Sequence, residues 1–414
     1  MWPRRAFAVF LGLTFCAQAG VAQAPLAGPN WVGSWAAAQQ VPESSNSLAP
    51  GDLQDATLRQ VVHLSIGGEA LRVRISNAFG TAPLEFTSVH IARPAAAASP
   101  RIDASTDRAL TFSGRSDVSI PAGADFISDP IAFAVAAQSD LAVTFHVGQP
   151  PAVETSHPGS RATSYLVHGD HVADADLPGA ITFEHWFNIS GVEVSAAPGA
   201  AAIVALGDSI TDGRGSTTNG NDRWPDDLAR RLLTALPSRC LAVLNQGIGG
   251  NRLLLDGLGP NALARFDRDV LAEPRVRYLI VLEGINDIGT FGLAGNTART
   301  AHDRLVGCII AAYKQIVLRA HAHGIRVFGG TLTPFAGSAY SKPGPMGEAD
   351  RAAVNQWIRV PGHFDAVIDF DKALRGPRQP ERLLPAFDSG DHLHPSPAGY
   401  RAMADAVRLA DFTP

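Results

Sequence analysis

A serine that follows Gly-Asp at the end of an apolar run is a candidate nucleophile. The run Ala201-Ala202-Ile203-Val204-Ala205-Leu206 stops at Gly207, and Asp208 and Ser209 come next. A buried strand ending in such a turn presents a hydroxyl at the carboxyl edge of a sheet, where open α/β sheets bind ligands. An ordinary strand-to-helix turn uses the same residue types, so Ser209 needs partners before it reads as reactive. A nucleophilic serine requires a base, a group that orients the base, and donors for an oxyanion. Three later stretches offer them. Asn245-Gln246-Gly247-Ile248-Gly249-Gly250-Asn251 is a glycine-rich loop whose backbone N–H groups can approach a ligand closely. Glu283-Gly284-Ile285-Asn286-Asp287 offers a side-chain amide at Asn286. Asp391-His392-Leu393-His394-Pro395 offers a carboxylate and two imidazoles. His392 is adjacent to Asp391, so its side chain tends to point elsewhere. His394, three residues on, is the candidate base and Asp391 its orienter. The glycines at 247, 249 and 250 lack the spacing and acidic partner of a dinucleotide fingerprint.

The elements that must carry these loops can be read from hydrophobic periodicity. From residue 201 onward, short apolar runs alternate with helical patterns, which argues for a parallel sheet. The predicted strands are 201–206, 241–245, 278–282, 327–331 and 366–370. The predicted helices include 224–236, opened by Pro225, then 298–323 and 397–409. Five strands with intervening helices make a three-layer, doubly wound, flavodoxin-like α/β domain over 198–414. Each candidate loop follows a strand at the same edge or leads into a helix. The segment 335–346 is loop-rich and long enough to border the pocket.

Residues 25–197 read differently. Leu71-Arg72-Val73-Arg74-Ile75-Ser76 alternates apolar and polar residues, as a half-buried strand does. It follows Val61–Ile66 across Gly67-Gly68, a hairpin signal. Further short strands, at 84–91, 109–112, 118–120, 131–135 and 141–147, predict an all-β sandwich or jelly roll. The Ala-, Pro- and Ser-rich segment 94–108 reads as a surface loop, and 196–200 as a linker. His157, His168, His171 and His185 lie in loop-like sequence and read as solvated or capping residues. Trp31, Trp35 and Trp186 could stack on sugar, but packing is the commoner use of such residues. Asn188-Ile189-Ser190 has the form of a glycosylation sequon, expected to be unused.

The chain has 414 residues, 46% hydrophobic and 18% charged, with a net charge of −5. That composition suits a sizeable core and excludes extensive disorder. No basic patch points to nucleic acid. Arg4 and Arg5 precede an uncharged apolar segment, 6–19, and two small-residue sites, Ala17-Gln18-Ala19 and Ala22-Gln23-Ala24. This is the pattern of a cleaved signal peptide, assigned to 1–24. Cleavage at the second site would leave Pro25 first, so both sites stay open. The expected location is secreted or periplasmic, with no stable membrane insertion after cleavage. Cleavage would remove Cys16 and leave Cys240 and Cys308. One disulfide between them stays open, as does a buried free Cys308. No Cys/His spacing suggests a metal site.

Together the four blocks resemble those of the GDSL, or SGNH, serine hydrolases. Gly207-Asp208-Ser209, Asn245 to Gly250, Gly284-Ile285-Asn286-Asp287 and Asp391–Pro395 stand in the family's order, with Ile285 where the family often has Gly. Trp31–Ala37 and Arg74–Gly80 are similar to a secreted two-domain subset with an N-terminal β-sandwich, which includes xylan-associated arylesterase and acetylesterase relatives. The resemblance implies Ser209, His394 and Asp391 as a catalytic triad. It also implies Ser209, Gly250 and Asn286 as the oxyanion hole, with no cofactor and no metal. The implied activity is hydrolysis of short-acyl esters of carbohydrate or of aryl esters, the substrate being a small ester or an acetylated polysaccharide. Two alternatives remain: a lipase- or lysophospholipase-like esterase, and an inactive carbohydrate-binding protein.

Overall fold

A computed structural model describes Met1 and residues 30–49 and 51–412. The signal-peptide segment and both cleavage sites lie outside the described residues. The first half is built from two larger antiparallel sheets and a two-stranded one that pairs Ser156–His157 with Trp186–Phe187. One runs Trp31–Ala36, Ile189–Ser195, Gly68–Ser76 and Asp125–Ile127, with Ile131–Val135 also paired to Gly68–Ser76. The other runs Ile181–Phe183, Ser164–His168, Ala56–Leu64, Ser139–Val147, Leu84–Ala92 and Arg108–Ala109, with Val118–Ile120 on Leu84–Ala92. Alternate residues of Leu71, Val73 and Ile75 are fully buried, as the period-two pattern requires.

The second half is a five-stranded parallel sheet: β1 (Ala201–Gly207), β2 (Leu241–Gly247), β3 (Val276–Leu282), β4 (Arg326–Gly330) and β5 (Ala366–Ile368), in spatial order 2-1-3-4-5. All seven residues of β1 are buried, as expected for a central strand covered on both faces. The helices are α1 (Ser209–Asp212), α2 (Trp224–Ala235), α3 (Ala262–Phe266), α4 (Ile285–Leu293), α5 (Arg299–Ala322), α6 (Gly344–Ile358), α7 (Phe370–Leu374) and α8 (Pro397–Ala406). Crossover helices cover both faces: α2 meets α8 on one, and α3, α5 and α6 pack together on the other. α5 is long and apolar enough to cross a membrane, but it packs by one face against α6 and β4. The strand order reverses between β1 and β3, so the crevice for a ligand lies beyond their carboxyl ends.

Several expectations change. The segment 94–108 is not all loop: Asp103 caps a turn of 3-10 helix at Ala104–Thr106, and Ile102 beside it is buried. The second half of 335–346 enters α6 at Gly344. Cys240 and Cys308 are both free, and Cys308 is exposed on the outer side of α5. Asn188 of the sequon is buried, and its amide donates to the Ser76 carbonyl.

The two halves share one hydrophobic cluster. The strand Trp31–Ala36 lies along β2, and Asn30 donates to the Ala197 carbonyl across the connection. A buried ion pair crosses the same interface. Arg74 of the sandwich donates to the Glu273 carboxylate at 2.6 Å, and Gln246 donates to the same oxygen at 3.0 Å. Burial pushes the Glu273 carboxyl up to about 7 against the pull of Arg74. Removing one partner of such a pair strands the other charge in a low-dielectric interior. Glu273→Ala is therefore expected to cost roughly 3–5 kcal/mol in urea unfolding. A loss under about 1 kcal/mol, the worth of an exposed pair, would show that Arg74 finds another partner or water.

Candidate active site

The turn after β1 works because residue 207 is glycine. A Cβ there would sit 2.2 Å from Thr211 Oγ1 and 2.5 Å from the Leu282 carbonyl. Without one, the chain folds directly into α1. Asp208 is its N-cap, accepting from the Ile210 N–H at 2.9 Å. Ser209 is the first helical residue and is nearly buried.

The long connection between α7 and α8 comes to meet it. His394 Nε2 lies 2.7 Å from Ser209 Oγ, and His394 Nδ1 lies 2.7 Å from Asp391 Oδ2. The other carboxylate oxygen of Asp391 accepts the backbone N–H of His394 at 2.8 Å and of Leu393 at 3.0 Å. Partial burial opposes ionisation of Asp391, but the hydrogen bonds and charge of His394 hold its carboxyl far below the usual range. An ionised Asp391 accepts a hydrogen bond from Nδ1–H, which leaves Nε2 unprotonated and free to accept from the serine hydroxyl. His392 turns away, at a φ of +62°, and bonds Asp388 at 2.5 Å.

The loop after β2 and the start of α4 complete the site. Gly250 adopts a left-handed φ of +72°, with Leu258 packed over it. Among the described residues, the backbone N–H groups of Ser209 and Gly250 have no hydrogen-bond partner. The Asn286 amide donates once, to the Asn251 carbonyl at 2.9 Å, and keeps a second hydrogen free. Asp287 accepts the N–H groups of Leu253 and Leu254 at 2.8 and 3.0 Å, tying α4 to the same loop. The structure thus brings Ser209, Gly250, Asn286, Asp391 and His394 to one sheet edge.

Beneath this edge are groups that motif spacing did not single out. Arg265 on α3 is fully buried; it donates to the carbonyls of Gly207 and Gln246, to Asn251 Oδ1 and to Asp269. Glu283 is fully buried, with neither oxygen hydrogen-bonded and Arg265 at 3.9 Å. Desolvation, then the neighbouring acids, raises Asp208 to about 7 and Glu283 well above its ordinary value. Burial likewise raises Asp287 to about 6. One sequence signal could have pointed here: Glu283 directly extends the apolar strand Tyr278–Leu282, where an acid needs an explanation. Two readings of the first half also change. His157 is not solvated: it is buried between the domains, 2.9 Å from Asp212 on α1. Trp35 and Trp186 are buried, with edge-to-face rings 4.9 Å apart, and serve packing.

Residues 205–402 match the model of the GDSL-like lipase/acylhydrolase family. No curated protein matches the chain. Solved structures similar to it include a lipolytic protein of the G-D-S-L family from Desulfitobacterium hafniense DCB-2 (21% identity, 50% of this chain and 97% of that one, TM-score 0.38). An α/β hydrolase from the metagenome of Lake Arreo, Spain, is 21% identical over 51% of this chain and 94% of that one, with a TM-score of 0.36. An acetylxylan esterase from Geobacillus stearothermophilus is 20% identical over 52% of this chain and 95% of that one, with a TM-score of 0.37.

The buried acids make stability pH-dependent with a definite sign. An acid whose pKa is raised on folding is protonated in the native state while its unfolded counterpart is ionised. Native protein then binds more protons, and stability falls as pH rises from the ordinary carboxylate range to about 7. The melting temperature is expected to drop between about pH 5 and about pH 8, and Glu283→Gln is expected to shrink that drop. An equal drop in wild type and variant would mean that Glu283 carries no proton in this range.

Proposed function

For a chain whose residues 205–402 form a GDSL-like lipase/acylhydrolase domain, we propose hydrolysis of short-acyl esters through an acyl-enzyme on Ser209. The carrying observation is the continuous relay from Ser209 Oγ to His394 to Asp391, with both links at 2.7 Å. As Ser209 attacks the ester carbonyl, His394 Nε2 takes the hydroxyl proton, and Asp391 stabilises the resulting imidazolium. The carbonyl oxygen becomes an oxyanion facing the N–H groups of Ser209 and Gly250 and the free amide hydrogen of Asn286. Collapse of the tetrahedral species breaks the bond to the alcohol, which leaves with the proton from His394. Water then attacks the acyl group by the same route and frees the acid and Ser209.

The surroundings of His394 favour a carbohydrate or aryl alcohol as leaving group. Tyr340, from the loop after β4, meets the His394 ring edge-on at a centroid distance of 5.3 Å. Arg214 donates to the Tyr340 hydroxyl at 2.9 Å. Both are solvent-exposed, on the side from which the alcohol receives its proton. An aromatic face beside a guanidinium suits the faces of sugar and aryl rings. A secreted location rests on the N-terminal pattern of Arg4, Arg5 and the apolar segment that follows. The lipase-like alternative predicts a preference for long acyl chains.

A fluorophosphonate probe is expected to label wild type and not Ser209→Ala. Asn286→Ala is expected to lower kcat by roughly 10²–10³-fold; unchanged kcat would remove Asn286 from the oxyanion hole. Across p-nitrophenyl esters, acetyl is expected to be preferred over long acyl groups. Tyr340→Ala is expected to raise KM for aryl and acetyl-xylan substrates several-fold, by roughly the 1 kcal/mol worth of an aromatic contact. Long-acyl preference would favour the lipase-like reading.

A further inference from the structure

The helix that carries Ser209 is too short to hold itself. α1 has four residues, and a single helical turn fixes more backbone than its few hydrogen bonds repay. Its position is set by what grips it from outside. At the first end, Asp208 caps it. In the middle, the Asn245 amide donates to the Thr211 carbonyl at 2.7 Å. At the last residue, the grip comes from the other domain.

His157 belongs to the sandwich and is buried, as is Asp212. Its Nδ1 lies 2.7 Å from the Ala38 carbonyl. A carbonyl only accepts, so Nδ1 carries a hydrogen. Its Nε2 lies 2.9 Å from Asp212 Oδ1. The imidazole therefore links the sandwich backbone to the end of α1. Trp186 stacks on the imidazole at 5.6 Å, an interplanar angle of 28°, which limits the ring's freedom. Gly159, two residues on, lies so close that a Cβ would sit 2.2 Å from Asp212 Oδ2. Next to this contact is a cavity of about 20 Å³, bordered by His157, Asp212, Arg223 and Asn245. It leaves the end of α1 room to move if the imidazole lets go.

We propose that His157 is a positioning residue for the nucleophile: by holding Asp212, the β-sandwich sets the place of α1 and hence the aim of Ser209 at His394. This rests on Ser209 as the nucleophile. The sandwich is then part of the active-site scaffold rather than an appended module. The acting contact is the bond between Nε2 and Asp212 Oδ1, and small errors in near-attack geometry carry large rate penalties.

Two substitutions in the full chain separate this role from packing. In His157→Asn the side-chain amide can replace Nδ1 and keep the Ala38 bond, but it cannot reach Asp212. In His157→Gln the amide can reach Asp212. The readouts are kcat, KM, melting temperature and the rate of fluorophosphonate labelling. His157→Asn is expected to lose about tenfold or more in kcat and labelling rate, with KM within about twofold, and His157→Gln to recover most of that loss. Asp212→Ala is expected to lose a similar factor, and the His157→Asn/Asp212→Ala double variant no more than either single change. Wild-type labelling in His157→Asn, equal losses in Asn and Gln variants, or additive losses in the double variant would each overturn the proposal. If the His157 variants do not fold, a heat-labile but fully labelled Asp212→Ala would equally overturn it, and slow labelling of a stable one would support it. Labelling of Ser209→Ala at the wild-type rate would instead refute the nucleophile assignment.

Discussion

A buried guanidinium holds the catalytic edge of the sheet together. Where parallel strands end, carbonyls that pointed along the ladder lose their partners, and burial makes each unpaired one costly. Arg265 reaches the ends of both β1 and β2: it bonds the Gln246 carbonyl at 2.6 Å and gives the Gly207 carbonyl, which also accepts the Ile248 N–H, a second bond at 3.0 Å. Only a planar fork with five donors could serve two strands and a side chain at once. Its third partner, Asn251 at 3.0 Å, passes the constraint on, because the Asn251 carbonyl orients the Asn286 amide. The serine turn and the loop that faces it are therefore set by one residue that takes no part in the chemistry.

Acids surround the same charge. Asp269 pairs directly with Arg265, while Glu283 stands 3.9 Å off and unbonded. Burial raises Asp208, Glu283 and Asp287, and at Asp208 and Glu283 the neighbouring acids add to it while Arg265 pulls the other way. Asp391 stands apart because it is partly solvated and richly hydrogen-bonded by its own loop. Carboxyls of one site are thus driven in opposite directions by burial on one side and donors on the other.

The five parallel strands, the sandwich and the loops that meet at one sheet edge were legible because they rest on local signals. Apolar runs mark β1 to β5, and turn residues at strand ends mark the loops. Structure not carried by periodicity was less legible. Gly344, Pro345 and Gly347 open α6 with residues that read as loop, yet the helix is held by tertiary contacts of Asp350, Arg351 and Asn355. Arg265 looked like one of many scattered arginines, and its role exists only once α3 folds beneath two strand ends. His157 sits in Ser-His-Pro-Gly, a turn by composition, and its partner is 55 positions away. Pairings across that distance depend on how two domains dock, which no local pattern encodes.

That docking combines two kinds of interaction with different duties. The apolar cluster running through both halves supplies the favourable free energy, since burial of carbon surface is non-directional and additive by area. The polar ties, Arg74 with Glu273 and His157 with Asp212, are buried and pay heavy desolvation. Such pairs are weak as sources of stability, but they tolerate only one geometry. Apolar burial, being non-directional, does not by itself fix how one half sits on the other. A sliding sandwich would carry the end of α1 with it, and Ser209 is one helical turn away. Two directional ties, one near the carboxyl end of β2 and one at the end of α1, remove that freedom close to Ser209.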